Sequence, residues 1–337
     1  MIIDFRLIIP IVVSFLITFF ITPFWIRKAK DIGLVWKDMN KYSDKRVAGS
    51  GGIMVLVGFL IGVLIFVGYR IFIINNSEHL IQILSLLLVV LMASGIGFVD
   101  DLLGWQKGGL SRRSRILLVA ISAIPLMVIN AGVQQISLFG VELNIGIIYA
   151  LILIPIGIVG ATTTFNFLAG FNGLEAGLGI ITIAGLSIVS FFTGNSWLTV
   201  IGLCMCASLI GFLVYNKFPA KIFPGDVMTY GIGSIIGVMA ILGNFEKITV
   251  FFFIPYIIEV ILKSRGKLLK YSFGKPNADG SLSLQHSKLY GLTHVSIYLL
   301  NKIGIKSNEK NVVYFIWAFQ ALVIIIAFLI FREGIFG

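Results

Sequence analysis

Runs of about twenty apolar residues recur along almost the whole chain, and they limit its folds more than any other feature. Each run is long enough to cross the ~30 Å hydrocarbon core of a bilayer. Inside lipid a chain must satisfy its own backbone hydrogen bonds, so such runs have to be helices. Only 12% of the 337 residues are charged and 58% are hydrophobic, about half the charge of a soluble domain. The expectation is an all-α polytopic membrane protein, a single integral membrane domain over 1–337 with no soluble domain of useful size. Ten spans are predicted, at roughly 4–26, 50–69, 80–99, 115–133, 145–161, 174–193, 197–215, 227–244, 246–262 and 311–331. The first run is followed by no small-residue cleavage site, which predicts a retained helix rather than a signal peptide.

With the N-terminus outside, the inward loops are 27–49, 100–114, 162–173, 216–226 and 263–310. Counting Arg115 with the second loop, which it borders, they hold 22 of the 26 lysines and arginines; Arg6, Arg70, Lys247 and Arg332 remain outside. This bias predicts that both termini lie outside and that the basic loops are cytoplasmic. The net charge of +11 therefore follows from topology and needs no nucleic-acid partner. Anionic membrane lipid and an anionic substrate are the partners it suggests. Asp31, Asp38, Asp44, Asp100, Asp101, Glu175, Asp226, Asp279 and Glu309 fall in or beside the same loops. Span centres, where an aspartate costs ~2.5–3.5 kcal/mol, are almost free of ionisable groups, so chemistry belongs at the cytoplasmic mouth. Cys204 and Cys206 read as packing residues, and the three histidines show no zinc spacing. The segment 134–143 alternates weakly and predicts a small outer hairpin. His286 to Lys306 predicts an amphipathic helix lying in the interface.

Five motifs stand out at the inward ends of the spans. Asp100 and Asp101 directly end an apolar run; they read either as a helix cap or as a pair in which one handles a proton or positions a nucleophile while the other shapes the site. Arg112, Arg113 and Arg115 follow, read as topology signals or as ligands for a lipid phosphate. Phe223-Pro224-Gly225-Asp226 opens another span, with Asp226 either its N-cap or a Mg²⁺ ligand and Phe223 able to stack on a planar base. The stretch Thr162 to Gly177, TTTFNFLAGFNGLEAG, interrupts two apolar runs with Asn166, Asn172 and Glu175 and holds no lysine or arginine. It reads as helix-packing glue or as a ligand-facing wall in which Asn166 meets a metal and Asn172 a base or ribose, with glycines admitting close approach. Arg265 and Lys267 can clamp a diphosphate or simply flank a span.

VDD at 99–101, NFLAGFNGLEAG at 166–177 and FPGD at 223–226, in that order, resemble the polyprenyl-phosphate N-acetylhexosamine-1-phosphate transferase superfamily over nearly the whole chain. The form of the central motif is most similar to the UDP-GlcNAc–dolichyl-phosphate GlcNAc-1-phosphate transferase branch. The peptidoglycan branch carries an aspartate-rich version of that motif and a triple histidine in the last large loop, where this chain has no such run, only isolated histidines such as His286. The resemblance implies about ten transmembrane helices with both termini outside. It implies Mg²⁺, with Mn²⁺ an alternative, on Asp226 and Asn166, and nucleotide contacts at Asn172 and Gly170. It implies uracil stacking on Phe223 and a uridine pocket lined by Asp38 and Met39 in the segment 38–41. It further implies a lipid-phosphate contact at Arg115, a grip on the sugar diphosphate by Arg265 and Lys267, and a catalytic acidic pair at Asp100 and Asp101. The chain departs from the family at Gly49, where a substrate-binding glutamate is expected, and at Lys267, where an arginine is.

The expected function is transfer of GlcNAc-1-phosphate from UDP-GlcNAc to a polyprenyl, dolichyl-type phosphate with release of UMP, the first lipid-linked step of a glycosylation pathway. The expected place is a prokaryotic, archaeal-type plasma membrane with the active site facing the cytoplasm, and a homodimer stays open. The alternative, a transporter or flippase of lipid-linked sugars, predicts inverted repeats and midplane charges; neither is visible.

Overall fold

The computed structural model describes residues 5–133, 135–138 and 141–337. The chain is almost entirely helical. Its long helices are α1 (Ile8–Asp31), α2 (Gly52–Phe72) and α3 (Leu80–Lys107); two short ones follow, α4 (Arg112–Ser122) and α5 (Ile124–Val128). Next come α6 (Ile154–Phe167), α7 (Leu174–Phe192), α8 (Ser196–Asn216) and α9 (Asp226–Gly243). The chain closes with α10 (Glu246–Phe252), α11 (Ile254–Ser264), α12 (Leu292–Lys302), α13 (Glu309–Ile330) and α14 (Arg332–Phe336). The loops carry three antiparallel pairs: β1 (Val35–Lys37) with β2 (Arg46–Ala48), β3 (Gln135–Leu138) with β4 (Val141–Asn144), and β5 (Lys275–Pro276) with β6 (Leu282–Ser283). The second pair is the expected hairpin; its turn, at 139–140, lies outside the described residues.

Among the described residues eight helices, not ten, are long and apolar enough to cross a membrane unbroken. The other two expected spans exist as hinged pairs, α4–α5 and α10–α11. In each pair the second residue of the second helix is a proline, Pro125 or Pro255. A proline ring offers no N–H and crowds the carbonyl one turn back, so an apolar run long enough to span is cut in two. Pro155 acts similarly at the start of α6, which is preceded by a π-helical turn at Tyr149–Leu153.

Lipid-facing and protein-facing sides separate cleanly. Phe20, Leu64, Leu84, Ile156 and Leu329 are exposed, as side chains against hydrocarbon should be. In α1 the buried stripe is Ser14, Thr18 and Thr22, spaced four apart. It meets Gly58 and Gly62 of α2 and Gly211 of α8. Small residues on facing helices let backbones approach closely where lipid removes the usual hydrophobic drive. Ser14 and Thr22 return their hydroxyls to their own helix, at the carbonyls of Pro10 (2.9 Å) and Thr18 (2.6 Å).

The helix at the centre is α9, 89% buried against 22% for α1. It packs on α2, α3, α6, α7, α8 and α10. Gly52 of α2 and Gly97 of α3 let the first residues of α9 come in, since a Cβ at Gly52 would lie 2.5 Å from the Met228 nitrogen and one at Gly97 would overlap the Asp226 backbone. The amphipathic segment forms α12, shorter than expected and packed on α11 and α13. Polar bonds draw it inward. Thr293 donates to the Ser272 carbonyl (2.5 Å), and His294 accepts the Tyr290 N–H at Nδ1 (3.3 Å) and faces the Phe273 carbonyl with Nε2 (3.1 Å). Burial holds His294 below its ordinary pKa, and the N–H accepted at Nδ1 leaves Nε2 as the ring's donor to the Phe273 carbonyl. Cys204 and Cys206 are buried and free.

Replacing Gly97 with Val should force α3 off the start of α9 and cost about 1–3 kcal/mol, the usual range for overpacking. Thermal unfolding in detergent measures this; an unchanged Tm would contradict the close approach.

Candidate active site

The site is built around the turn that starts α9. Phe223 donates its N–H to the Ala48 carbonyl (2.7 Å), while the carbonyls of Phe223 and Pro224 accept from Gly51 (2.9 Å) and Gly52 (2.8 Å). The turn is thus sewn to the loop before α2. Gly225 sits at φ 73, and a side chain there would run into the Asp101 carboxylate. That carboxylate accepts the N–H of Asp226 (2.7 Å) and faces that of Val227 (3.5 Å). Asp101 therefore caps the N-terminus of α9 from a neighbouring helix, with Asp226 as the first residue of the capped helix.

Asp100 turns the other way. It accepts from the Leu110 N–H (2.7 Å) and holds Arg115 through both carboxylate oxygens, Nη2 to Oδ1 at 3.1 Å and Nε to Oδ2 at 2.6 Å. Arg115 stands on α4, whose first turn is capped by Ser111. Its Nη1 lies 4.0 Å from Asp226, whose side chain is 28% exposed. One turn further along α9, Tyr230 stands close enough to Asp226, Arg115, Asp100 and Asn166 to feel each of them electrostatically. The structure thus brings Asp100, Arg115, Asn166 and Asp226 together and adds Tyr230. Sequence reasoning missed that residue, although its spacing of four from Asp226 puts both on one helix face.

This donor set is all oxygen apart from the arginine: two carboxylates, an amide and a phenol. Among the described residues no three His, Cys, Asp or Glu side chains group as a ready metal site. The cation it fits is therefore a hard one that takes one or two carboxylates and fills its remaining positions with water and substrate phosphate.

A second polar cluster lies at the same basic end. Asp38 is buried and receives the Asn172 amide (3.2 Å), the Asn40 N–H (3.3 Å) and the Lys41 ammonium (3.3 Å). Glu309, the first residue of α13, pairs with Lys41 and accepts the Asn172 N–H (2.8 Å). Asn40 donates to the Gly170 carbonyl (3.0 Å). Glu175, buried in the first turn of α7, accepts the Gly170 N–H (2.6 Å) and so closes the loop between α6 and α7. Residues 166–175 join both clusters: Asn166 belongs to the first, while Gly170, Asn172 and Glu175 belong to the second. The sequence placed Lys41 in the 38–41 segment and Glu309 among the inward acids, but not their pairing, because a lysine in a basic loop and an acid at a helix start look ordinary.

Of the other expected residues, Met39 is exposed, and Phe223, in the turn itself, is half-buried. Arg265 and Lys267 are exposed, and their hydrogen bonds are backbone ones, to Lys263 and Ser264 within the turn that ends α11. Gly49 has a packing reason, since a Cβ there would collide with the Trp36 indole, and its carbonyl accepts from Trp25 (3.0 Å).

Two contrasts test this geometry. Asp101→Ala should cost about 1.5–3 kcal/mol, the worth of a hydrogen bond to a charged group. Asp100→Ala should cost less than half of that, because Arg115 is part-solvated and keeps Asp226 nearby; equal losses in thermal unfolding would refute the division of roles. Glu309→Ala leaves the Asn172 N–H unmet and takes one of two carboxylate partners from part-buried Lys41, and should cost about 1–3 kcal/mol, with Glu309→Gln milder because it still accepts from Asn172.

Comparison with known proteins places this architecture. Residues 83–244, which run from α3 to the end of α9, match the model of glycosyl transferase family 4. Over 95% of its length the chain is 34% identical to a protein of Saccharolobus solfataricus described as a putative UDP-N-acetylglucosamine–dolichyl-phosphate N-acetylglucosaminephosphotransferase, 95% of which is covered. A protein of the same description from Sulfolobus acidocaldarius is 32% identical, with 95% of both chains covered. A Bacillus subtilis protein described as a probable undecaprenyl-phosphate N-acetylglucosaminyl 1-phosphate transferase is 29% identical over 89% of this chain and 82% of its own. The chain is an integral membrane transferase that belongs to glycosyl transferase family 4.

Proposed function

We propose that the protein transfers GlcNAc-1-phosphate from UDP-GlcNAc to a polyprenyl phosphate of the dolichyl type, from the cytoplasmic face of a prokaryotic plasma membrane. The observation that carries this reading is the juxtaposition of the polar cluster with a long apolar groove. The groove encloses about 920 Å³ and follows α6 through Gly157, Gly160, Ala161 and Thr164, with α9, α10–α11 and the end of α13 as its other walls. It ends two residues before Asn166. A polyprenyl tail needs such an apolar channel open to lipid, and its phosphate must emerge where the reaction occurs.

In the proposed reaction an oxygen of the lipid phosphate attacks the β-phosphorus of UDP-GlcNAc. The bridging bond to the α-phosphate breaks and UMP leaves with the electron pair. The lipid monophosphate has a second pKa near 6, so it arrives largely ionised and a strong general base is unnecessary. Asp100 then serves to orient Arg115, whose guanidinium steers the lipid phosphate. Asp101 keeps the Asp226 turn in place through the α9 cap. Asp226, with the Asn166 amide beside it, would hold Mg²⁺, which when bound neutralises charge on the diphosphate. Tyr230 and Arg115 supply hydrogen-bond donors on the other side of that cluster. Asn172 and Gly170, held by Asp38 and Glu175, would face the nucleotide, with Phe223 stacking on its base.

Membranes containing the protein, radiolabelled UDP-GlcNAc, polyprenyl phosphate and Mg²⁺ should form a lipid-linked product and UMP, and chelation should stop the reaction. Asp226→Ala should lower the rate at least about a hundredfold, the scale of losing a preorganised electrostatic partner, while leaving the protein folded. Near-normal turnover of that variant at saturating Mg²⁺ sinks the metal assignment; labelled solute uptake without UMP would point to a transporter instead.

A further inference from the structure

A second cavity, of about 450 Å³, opens between the start of α4, the end of α6 and the 268–273 loop. Its wall holds the cations Arg112, Lys263 and Lys270 and the rings of Phe167, Tyr271 and Phe273, with no acidic side chain. Lys263 is committed, to Glu259 (3.5 Å) and to the Phe167 carbonyl. Arg112 spends one Nη2 donor on the Leu268 carbonyl (3.0 Å), which braces the loop and leaves most of the guanidinium free. Lys270 is exposed, and so are Arg265 and Lys267 nearby. The local field is therefore strongly positive.

The cavity also lies at the membrane boundary. In α11, just before it, Ile257 and Ile261 are exposed as lipid-facing residues are; in the loop itself Leu269 is 68% and Tyr271 71% exposed. Large apolar side chains interleaved with cations suit the headgroup layer, where the apolar parts dip into lipid and the charges meet phosphate. A water-borne anion would use the cations and leave the leucines bare. Arg112 and Arg115 are three apart on α4, so they share a helix face and the cavity sits one turn from the Asp100–Asp226 cluster.

We infer that this cavity holds a phosphate carried on a lipid of the basic-side leaflet. Two sources share that chemistry. One is the polyprenyl phosphate acceptor on its way to Arg115, which rests on the function proposed above; the other is an anionic phospholipid that keeps the 268–271 loop in register.

The test uses purified full-length protein in dodecyl-maltoside micelles, titrated separately with farnesyl phosphate and with phosphatidylglycerol, and read as the lipid-induced rise in Tm. Wild type and Arg112→Lys should respond to at least one of the two. In Arg112→Gln and Lys270→Glu the apparent affinity should fall about tenfold, as expected where each basic residue adds a modest increment at an anionic surface. A response to farnesyl phosphate alone assigns the acceptor, one to phosphatidylglycerol alone assigns the phospholipid, and both together indicate one site shared by the two. No response in wild type, or an unchanged affinity in Lys270→Glu, whose exposed side chain has no partner to lose, overturns the inference. In transfer assays any change in KM should fall on the lipid acceptor; a change confined to UDP-GlcNAc overturns it too. Absence of transfer by the wild type would defeat the proposed function and leave the binding result to be judged by itself.

Discussion

The hydrogen bonds from Asp226 and Val227 to the Asp101 carboxylate are the constraint on which the rest of this structure depends. The most buried helix of the bundle begins there, with its first N–H groups pointing away from bulk water. In a membrane those donors must be met by protein. Asp101 meets them from α3, and the helix dipole favours a negative charge at that point. The same bond that allows α9 to start inside the bundle also fixes where Asp226 begins, and so where the proposed reactive cluster is. Stability and chemistry share one carboxylate, which explains how adjacent aspartates come to differ: one completes a helix and the other aims an arginine.

The second cluster applies the same principle to the loops. Asp38, Lys41, Asn172 and Glu309 come from the first loop, the third loop and the start of the last long helix. Each is buried or nearly so, and each charge has an opposite partner, as burial in low dielectric requires. The α6–α7 loop carries no cation of its own. Its polar backbone is satisfied by side chains brought from elsewhere, Glu175 from the next helix and Asn40 and Glu309 from distant segments. A pause in the hydrophobic pattern is thereby made rigid between the reactive cluster and the first loop.

Legibility differed by kind of feature. Spans were readable because the bilayer imposes a length and a hydrophobicity that local sequence must meet. The two hinges are local as well: Pro125 and Pro255 each lie inside an apolar run, and a reading by hydropathy counts methylenes without counting missing N–H groups. Asn166 and Asp226 stood out as polar residues at the ends of apolar helices, and the structure does bring them together with Asp100 and Arg115. Tyr230, Glu309 and Lys41 did not stand out, because each resembles its surroundings until a partner far along the chain approaches. Arg265 and Lys267, which the resemblance places at the diphosphate, are exposed in the turn after α11, where no protein partner among the described residues fixes their side chains.

By itself the sequence determined the helical membrane architecture, the clustering of basic loops on one side and the end of the bundle where chemistry can occur. These follow from hydrocarbon thickness, from the cost of buried charge and from residue type alone. Only the tertiary structure decided which aspartate caps α9, which one holds Arg115, and that Glu175 and Glu309 lock the α6–α7 loop. The α9 cap and the Glu309 lock depend on contacts between residues more than a hundred positions apart, Asp101 with Asp226 and Glu309 with Asn172. No local pattern encodes such a contact, because the partner's position is set by how ten apolar segments pack.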